Sequence, residues 1–255
     1  MLRDHLLNTL NQLLSPHLTK DYCPNGLQVE GKEVIRHVVT GVTASQALID
    51  KAIALNADAI LVHHGYFWKN EPYNIVGIKK RRIASLLQHD ISLFAYHLPL
   101  DVHASLGNNA QLAAVLGLDE VAAFESISPE GLVMRGVLPQ ALSHQALKQK
   151  LASCLSRDVV SVGAKEQIKH LAWCTGGGQG YIDELTNINT SDAPIDAFIS
   201  GEISEQTTHS ARELGIDFFA AGHHATERYG VKALGEYLAQ HHDVKVSFID
   251  IDNPA

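Results

Sequence analysis

The 255-residue chain reads as an α/β protein of two similar lobes, each a mostly parallel or mixed sheet flanked by helices. Three observations predict this. Short apolar runs at residues 59–62, 91–96 and 216–221 each end in a turn followed by a helical pattern, the habit of buried parallel strands. The first half alternates strand and helix as β-α-β-α-β-α, which short, right-handed connections turn into one helix-covered sheet. After about residue 124 the rhythm restarts. With 45% hydrophobic residues, the chain can bury one large core or two modest ones.

Taken in order, Leu2, Leu6, Leu7, Leu10, Leu13 and Leu14 recur at helical spacing and stop before Ser15-Pro16, predicting an opening amphipathic helix. Residues 21–31 read as a loop, with Pro24-Asn25-Gly26 as its turn signal. A strand is expected over 34–42, a helix over 45–55, a strand ending at Val62, a helix over 76–89 and a strand ending at His97. A helix over 108–116 is closed by Gly117. The second half predicts a strand over 132–138, a helix over 141–154, and strands near 158–162 and 168–174. Further strands follow near 195–199, 216–221 and 244–250, with helices between. Polar, turn-prone residues 119–128 place the boundary, giving lobes 1–124 and 125–255; the final helix and strand can pack back onto the first.

A formal charge of −8 and no extended basic face argue against a nucleic-acid protein that neutralises phosphates. Lys79-Lys80-Arg81-Arg82 is the dense basic run, and on a helix it spans every side, so it reads as a solvated turn. Three widely spaced cysteines fit a reducing compartment better than a disulfide framework. The opening helix has no continuous hydrophobic stretch and no apolar run is long enough to cross a bilayer, so the expectation is a cytoplasmic protein with no membrane partner.

Against fifteen histidines, any one His-His pair carries little weight. His241-His242 closes a helix and reads as solvated. Position separates others from that background: His63-His64, His97 and His223 each follow the carboxyl end of an apolar strand, where α/β sheets gather ligands. Together with Asp101 and Glu227 they supply imidazoles and carboxylates that suit Zn, Mn, Fe, Co or Ni. Successive side chains on a strand point to opposite faces, so His63 and His64 are expected to serve separate ions where the strand breaks, with Glu227 able to bridge. His97, four residues before Asp101 with Pro99 between, is expected on a loop as a neighbouring base. Thr226 reads as an N-cap placing Glu227 in a first helical turn, and Glu202, just past the strand before Gly201, as a second carboxylate near the site. Thr175-Gly176-Gly177-Gly178-Gln179-Gly180 reads as a tight strand-to-helix turn, lacking the full dinucleotide or P-loop pattern.

These motifs resemble one family closely. Val62-His63-His64-Gly65-Tyr66-Phe67-Trp68, Tyr96-His97-Leu98-Pro99-Leu100-Asp101, Gly201-Glu202 and Gly222-His223-His224-Ala225-Thr226-Glu227-Arg228-Tyr229-Gly230 are similar to the NIF3-like proteins, often labelled GTP cyclohydrolase 1 type 2 homologues. The resemblance covers nearly the whole chain, in the short form without an inserted middle domain. It implies two α/β lobes, two divalent metal ions per subunit and a toroidal homohexamer. It also implies the ligands His63, His64, Asp101, His223 and Glu227, with Glu227 touching both ions. His224 departs from the tyrosine common at that position.

The function expected is a metal-dependent hydrolase acting on a small anionic, nucleotide-like substrate, with His97 or Glu202 as proton carrier; the family label implies ring opening of GTP. The competing reading is a non-catalytic metal-binding, storage or assembly protein that forms a ring. A spare His97 beside the ligands favours chemistry.

Overall fold

The computed structural model describes residues 1–185 and 194–255. In chain order the elements are α1 (Arg3–Leu14), β1 (Gly26–Val29), β2 (His37–Thr43), α2 (Gln46–Ala54), β3 (Ala59–His64), α3 (Gly77–Gln88), β4 (Ser92–Ala95) and α4 (Leu98–Val102). There follow α5 (Asn108–Leu116), β5 (Asp119–Ala123), β6 (Met134–Leu142), α6 (His144–Leu155), β7 (Val160–Val162) and β8 (Ile168–Cys174). The chain closes with β9 (Ala197–Ser200), α7 (Glu205–Leu214), β10 (Asp217–Ala220), α8 (His223–His241) and β11 (Lys245–Phe248). Two compact units result: unit 1 is Met1–Gly107 with Gly230–Asp252, and unit 2 is Asn108–Tyr229 with Asn253–Ala255.

Unit 1 holds a five-stranded sheet in the order β1-β4-β3-β2-β11, parallel except for β1 against β4. Its inner strands are largely apolar on both faces, and the period-2 alternation sorts their side chains to one of two cores. Val38, Val42, Ala59, Leu61, Phe94 and Tyr96 pack with Leu6 and Leu10 of α1 and Leu234 and Leu238 of α8. Val39, Ile60, Val62, Leu93 and Ala95 pack on the opposite face with Leu48 and Ile49 of α2 and Ile83 and Leu86 of α3. Each fully buried Val, Leu, Ile or Phe among them contributes about 1.5–3 kcal/mol of transfer free energy. Ser45 caps α2 by accepting from the Leu48 N–H at 3.3 Å.

Unit 2 holds a six-stranded sheet, β5-β6-β8-β9-β10-β7, with β8, β9 and β10 parallel and the outer strands antiparallel. Leu147, Leu151 and Leu155 of α6 and Leu112 and Leu116 of α5 cover one face against Leu171, Trp173, Ile199 and Phe219. Ser204 and Thr207 form a reciprocal capping box at the start of α7.

Three sequence expectations shift. The loop expected over 21–31 contains strand β1, because the turn at Pro24-Asn25-Gly26 feeds directly into an antiparallel edge against β4. The crossing between units lies at Gly107, not at residue 124, and the polar stretch at 119 is strand β5. Asn109 supplies the physical reason. Its carbonyl accepts the Trp173 indole N–H (3.0 Å), its Oδ1 accepts the Thr175 N–H (3.0 Å), and its amide donates to the Gly131 and Leu132 carbonyls (3.1 Å each). That buried clip binds the start of α5 to the second sheet. The final strand, β11, pairs in parallel with β2 and so belongs to unit 1.

Candidate metal centre

Unit 1 gathers its donors at the carboxyl ends of β3 and β4. His63 is fully buried, and its Nδ1 lies 3.0 Å from the Tyr96 carbonyl, which as an acceptor fixes the proton on Nδ1. Its Nε2 faces Asp101 Oδ1 at 3.5 Å. His64 Nδ1 meets the Thr43 hydroxyl at 3.2 Å. The strand does not break between them, contrary to expectation: β3 runs through His64, and the two rings lie 4.5 Å apart because the Tyr96 carbonyl and Thr43 hydroxyl hold each one at the strand end.

His97 is the N-cap of α4, a short helix where a loop was expected; Pro99 sits in its first turn, where the missing N–H costs nothing. Asp21 organises this turn. One carboxylate oxygen accepts His97 Nδ1–H at 2.7 Å, and the other accepts the Leu98 N–H (2.9 Å) and the Asn25 amide (2.9 Å). Burial pushes the Asp21 carboxyl up, but the His97 bond and charge, Asn25 and the Tyr22 N–H together hold it below the usual carboxylate value. His97 is thereby turned toward the pair, with ring centroids 5.0 Å from His63 and 5.7 Å from His64. One ligand atom from each of His63, His64 and His97 lies within 4.8 Å of the others, the spacing of a cation's coordination shell. Cys23 also lies beside Asp21 and His97, yet burial, with the Asp21 charge, pushes its thiol up to about 12, so it stays a neutral thiol.

Unit 2 presents His223 and Glu227. Helix α8 begins at His223, earlier than the expected N-cap at Thr226, so Thr226 lies inside the first turn. Its hydroxyl accepts the Gly176 N–H (3.0 Å) and donates to the Gly222 carbonyl (2.8 Å), joining the glycine turn to the helix start. Gly176, at φ +62°, is required: a Cβ there would stand 1.9 Å from Glu227 Oε1. The glycine run therefore cradles a carboxylate of this chain. Glu202, expected as a proton carrier, accepts His223 Nδ1–H at 2.7 Å, leaving Nε2 facing Glu227 Oε2 at 3.3 Å. Burial lowers the proton affinity of His223, but Glu227 first and Glu202 second outweigh it and raise its pKa to about 9.

The donor chemistry fits divalent ions in both units. Three imidazoles carry their proton on Nδ1 because a carbonyl or carboxylate accepts there, and such outer partners are what orient metal-ligating histidines. In two of them Nε2 lies 3.3–3.5 Å from a buried carboxylate oxygen, an imidazole and a carboxylate donor side by side as a divalent ion would use them. The sequence missed Asp21 and Thr43: a carboxylate 76 positions before its histidine leaves no spacing signal.

Residues 1–254 match the family model Duf34/NIF3 (NGG1p interacting factor 3). The chain belongs to the DUF34/NIF3 family. Relatives of this NIF3 chain include the GTP cyclohydrolase 1 type 2 homolog of Vibrio cholerae, 56% identical over 248 residues and 96% of each chain. That of Escherichia coli K12 is 49% identical over 257 residues and 100% of each. Among solved structures, protein ybgI, described as of unknown function, matches at TM-score 0.93 and 50% identity over 100% of both chains. TTHA1606 from Thermus thermophilus matches at 0.89 and 33%, again over 100% of both. Among the described residues, no helix is long and apolar enough to cross a membrane.

Proposed function

We propose that this NIF3 protein is a dinuclear divalent-metal hydrolase acting on a small anionic, nucleotide-like molecule. The observation that carries it is the set of Nδ1-anchored imidazoles, His63, His97 and His223, paired with the buried carboxylates Asp101 and Glu227. In this reading His63, His64, Asp101, His223 and Glu227 hold two ions, as the family resemblance implies, with Glu227 shared. Zn, Mn, Fe, Co and Ni all suit imidazole and carboxylate donors. Bound there, such ions supply Lewis acidity and lower the pKa of water toward neutrality.

The chain's own groups do the rest. His97, held by Asp21, is the proton carrier, since its ring lies beside both donor histidines. Glu202 is a positioning residue that fixes the tautomer and tilt of His223. The names of the relatives support GTP as a substrate to test. A toroidal homohexamer, supported by the family resemblance, and a cytoplasmic location, supported by the widely spaced free cysteines, are part of the same proposal.

Elemental analysis should find about two metal ions per chain, falling by at least half in His63→Ala and in Glu227→Gln. Metal-replete protein should turn over members of a panel of nucleotides and phosphoesters. His97→Ala should lower that rate by about 100-fold or more while retaining metal. Two ions held with no turnover across the panel would replace the hydrolase by a metal-storage or assembly protein.

A further inference from the structure

The loop that follows the donor histidines is held more rigidly than a connection requires. Gln28 accepts the Tyr66 N–H (2.7 Å) and donates to its carbonyl (3.1 Å), an approach open only because residue 65 is glycine. Phe67 sits at φ +66°, a conformation bulky residues avoid. Glu71 Oε2 accepts both the Phe67 and Trp68 N–H groups (2.8 and 3.1 Å). Lys79 then clamps the turn: its ammonium lies 3.4 Å from Glu71, donates to the Pro72 carbonyl (3.0 Å) and stands 5.0 Å over the Phe67 ring. The Lys69 N–H donates to the Tyr22 carbonyl (2.7 Å), tying in the loop that carries Asp21.

What this scaffold positions is aromatic. The Trp68 indole meets His97 edge-on at 4.9 Å and His64 at 6.0 Å. On the other loop, the Tyr22 ring lies 6.0 Å from His97 and is 55% exposed. Tyr66 and Phe67 of this loop pack on the core of unit 1, but neither the exposed Tyr22 nor the half-buried Trp68 belongs to either hydrophobic cluster, so the core does not account for where these two rings stand. Strain of the kind at Phe67 is retained where it presents a group to a ligand.

We propose that Tyr22 and Trp68 form an aromatic wall that takes the planar heteroaromatic ring of the substrate beside His63, His64 and His97. This rests on the reading of those histidines as part of a reactive centre. Rings stack on such side chains with little regard for their hydrogen-bonding edges, so the wall selects for a flat π-face, while the donors and His97 act on the group beside it.

The two tryptophans make the test direct. Trp173 is fully buried with its indole N–H on the Asn109 carbonyl, so quenching of the native protein's fluorescence by a surface ligand reports Trp68. Metal-loaded protein is titrated with guanosine and cytidine monophosphates and a pterin, against ribose 5-phosphate and tripolyphosphate as ring-free probes. The expected result is quenching by ring-bearing probes alone. Calorimetry should show guanosine monophosphate binding about 10- to 100-fold weaker to Trp68→Ala, nearly restored in Trp68→Phe, with metal content unchanged. Undiminished binding to Trp68→Ala, or no quenching by any ring-bearing probe while both metals are held, overturns the wall and leaves the metal reading standing. Ring-dependent quenching in native protein that elemental analysis finds to hold no metal after loading keeps the wall and removes the metal reading.

Discussion

Each unit carries a buried aspartate bonded to a histidine Nδ1 at 2.7 Å, and the two pairs are nearly superposable in kind. His97 and Asp21 have side chains 14% and 3% exposed; His144 and Asp217 have 14% and 5%. What differs is the far nitrogen's surroundings. Past His97 lie His63, His64 and the aromatic loop. His144 Nε2 instead meets the Ser161 hydroxyl at 2.9 Å, and its ring stacks on Phe219 at 4.7 Å against the core of unit 2. Ser161, His144 and Asp217 thus have the connectivity of a nucleophile-base-acid set. Their ring stack and the Lys165 N–H on Asp217 (3.0 Å) make them a pin between α6, β7 and β10. An Asp–His pair is therefore only an orienting device; its use is decided by what the oriented nitrogen faces.

Replacing the two aspartates separates these uses. Asp21→Asn should cut turnover of metal-replete protein by about 10- to 100-fold with metal content retained, because the anchor of His97 and the α4 cap are lost together. Unchanged turnover would make the first pair a pin like the second. Asp217→Asn should leave metal content untouched and lower stability by about 2 kcal/mol in urea unfolding, through the buried bonds to His144 and Lys165; a change in metal content would join the two regions functionally. Ser161→Ala should cost about 1 kcal/mol, the net worth of one hydrogen bond, and should not alter any hydrolytic rate. A lost activity there would turn the pin into a second reactive centre.

The strands of this fold and the candidate donors at their ends were legible because both rest on local pattern. Apolar runs ending in His63, His97 and His223 announce parallel strands and their carboxyl ends at once. Helix starts were less visible: α8 begins at His223 because Gly222, at φ +99°, lets the chain turn into it, and Thr226 is occupied by Gly176 across the sheet end. Asp21, Thr43 and the role of Glu202 were out of reach for a different reason. Each acts through a hydrogen bond to a histidine 21 to 76 positions away, and such pairs exist only once the sheet has formed. The β5 strand was hidden by exposure: a solvated edge of Asp119, Glu120 and Val121 looks like a linker.

The discontinuity of unit 1 has a kinetic side. Its parallel pairing of β2 with β11 joins residues about 200 positions apart, as does the packing of α1 against Leu234 and Leu238. The body of unit 2, Asn108–Tyr229, is continuous in the chain. During synthesis the first core thus waits, with part of one sheet face and the β2 edge uncovered, until the body of the second has left the ribosome. The unit begun first is completed only after the body of the second.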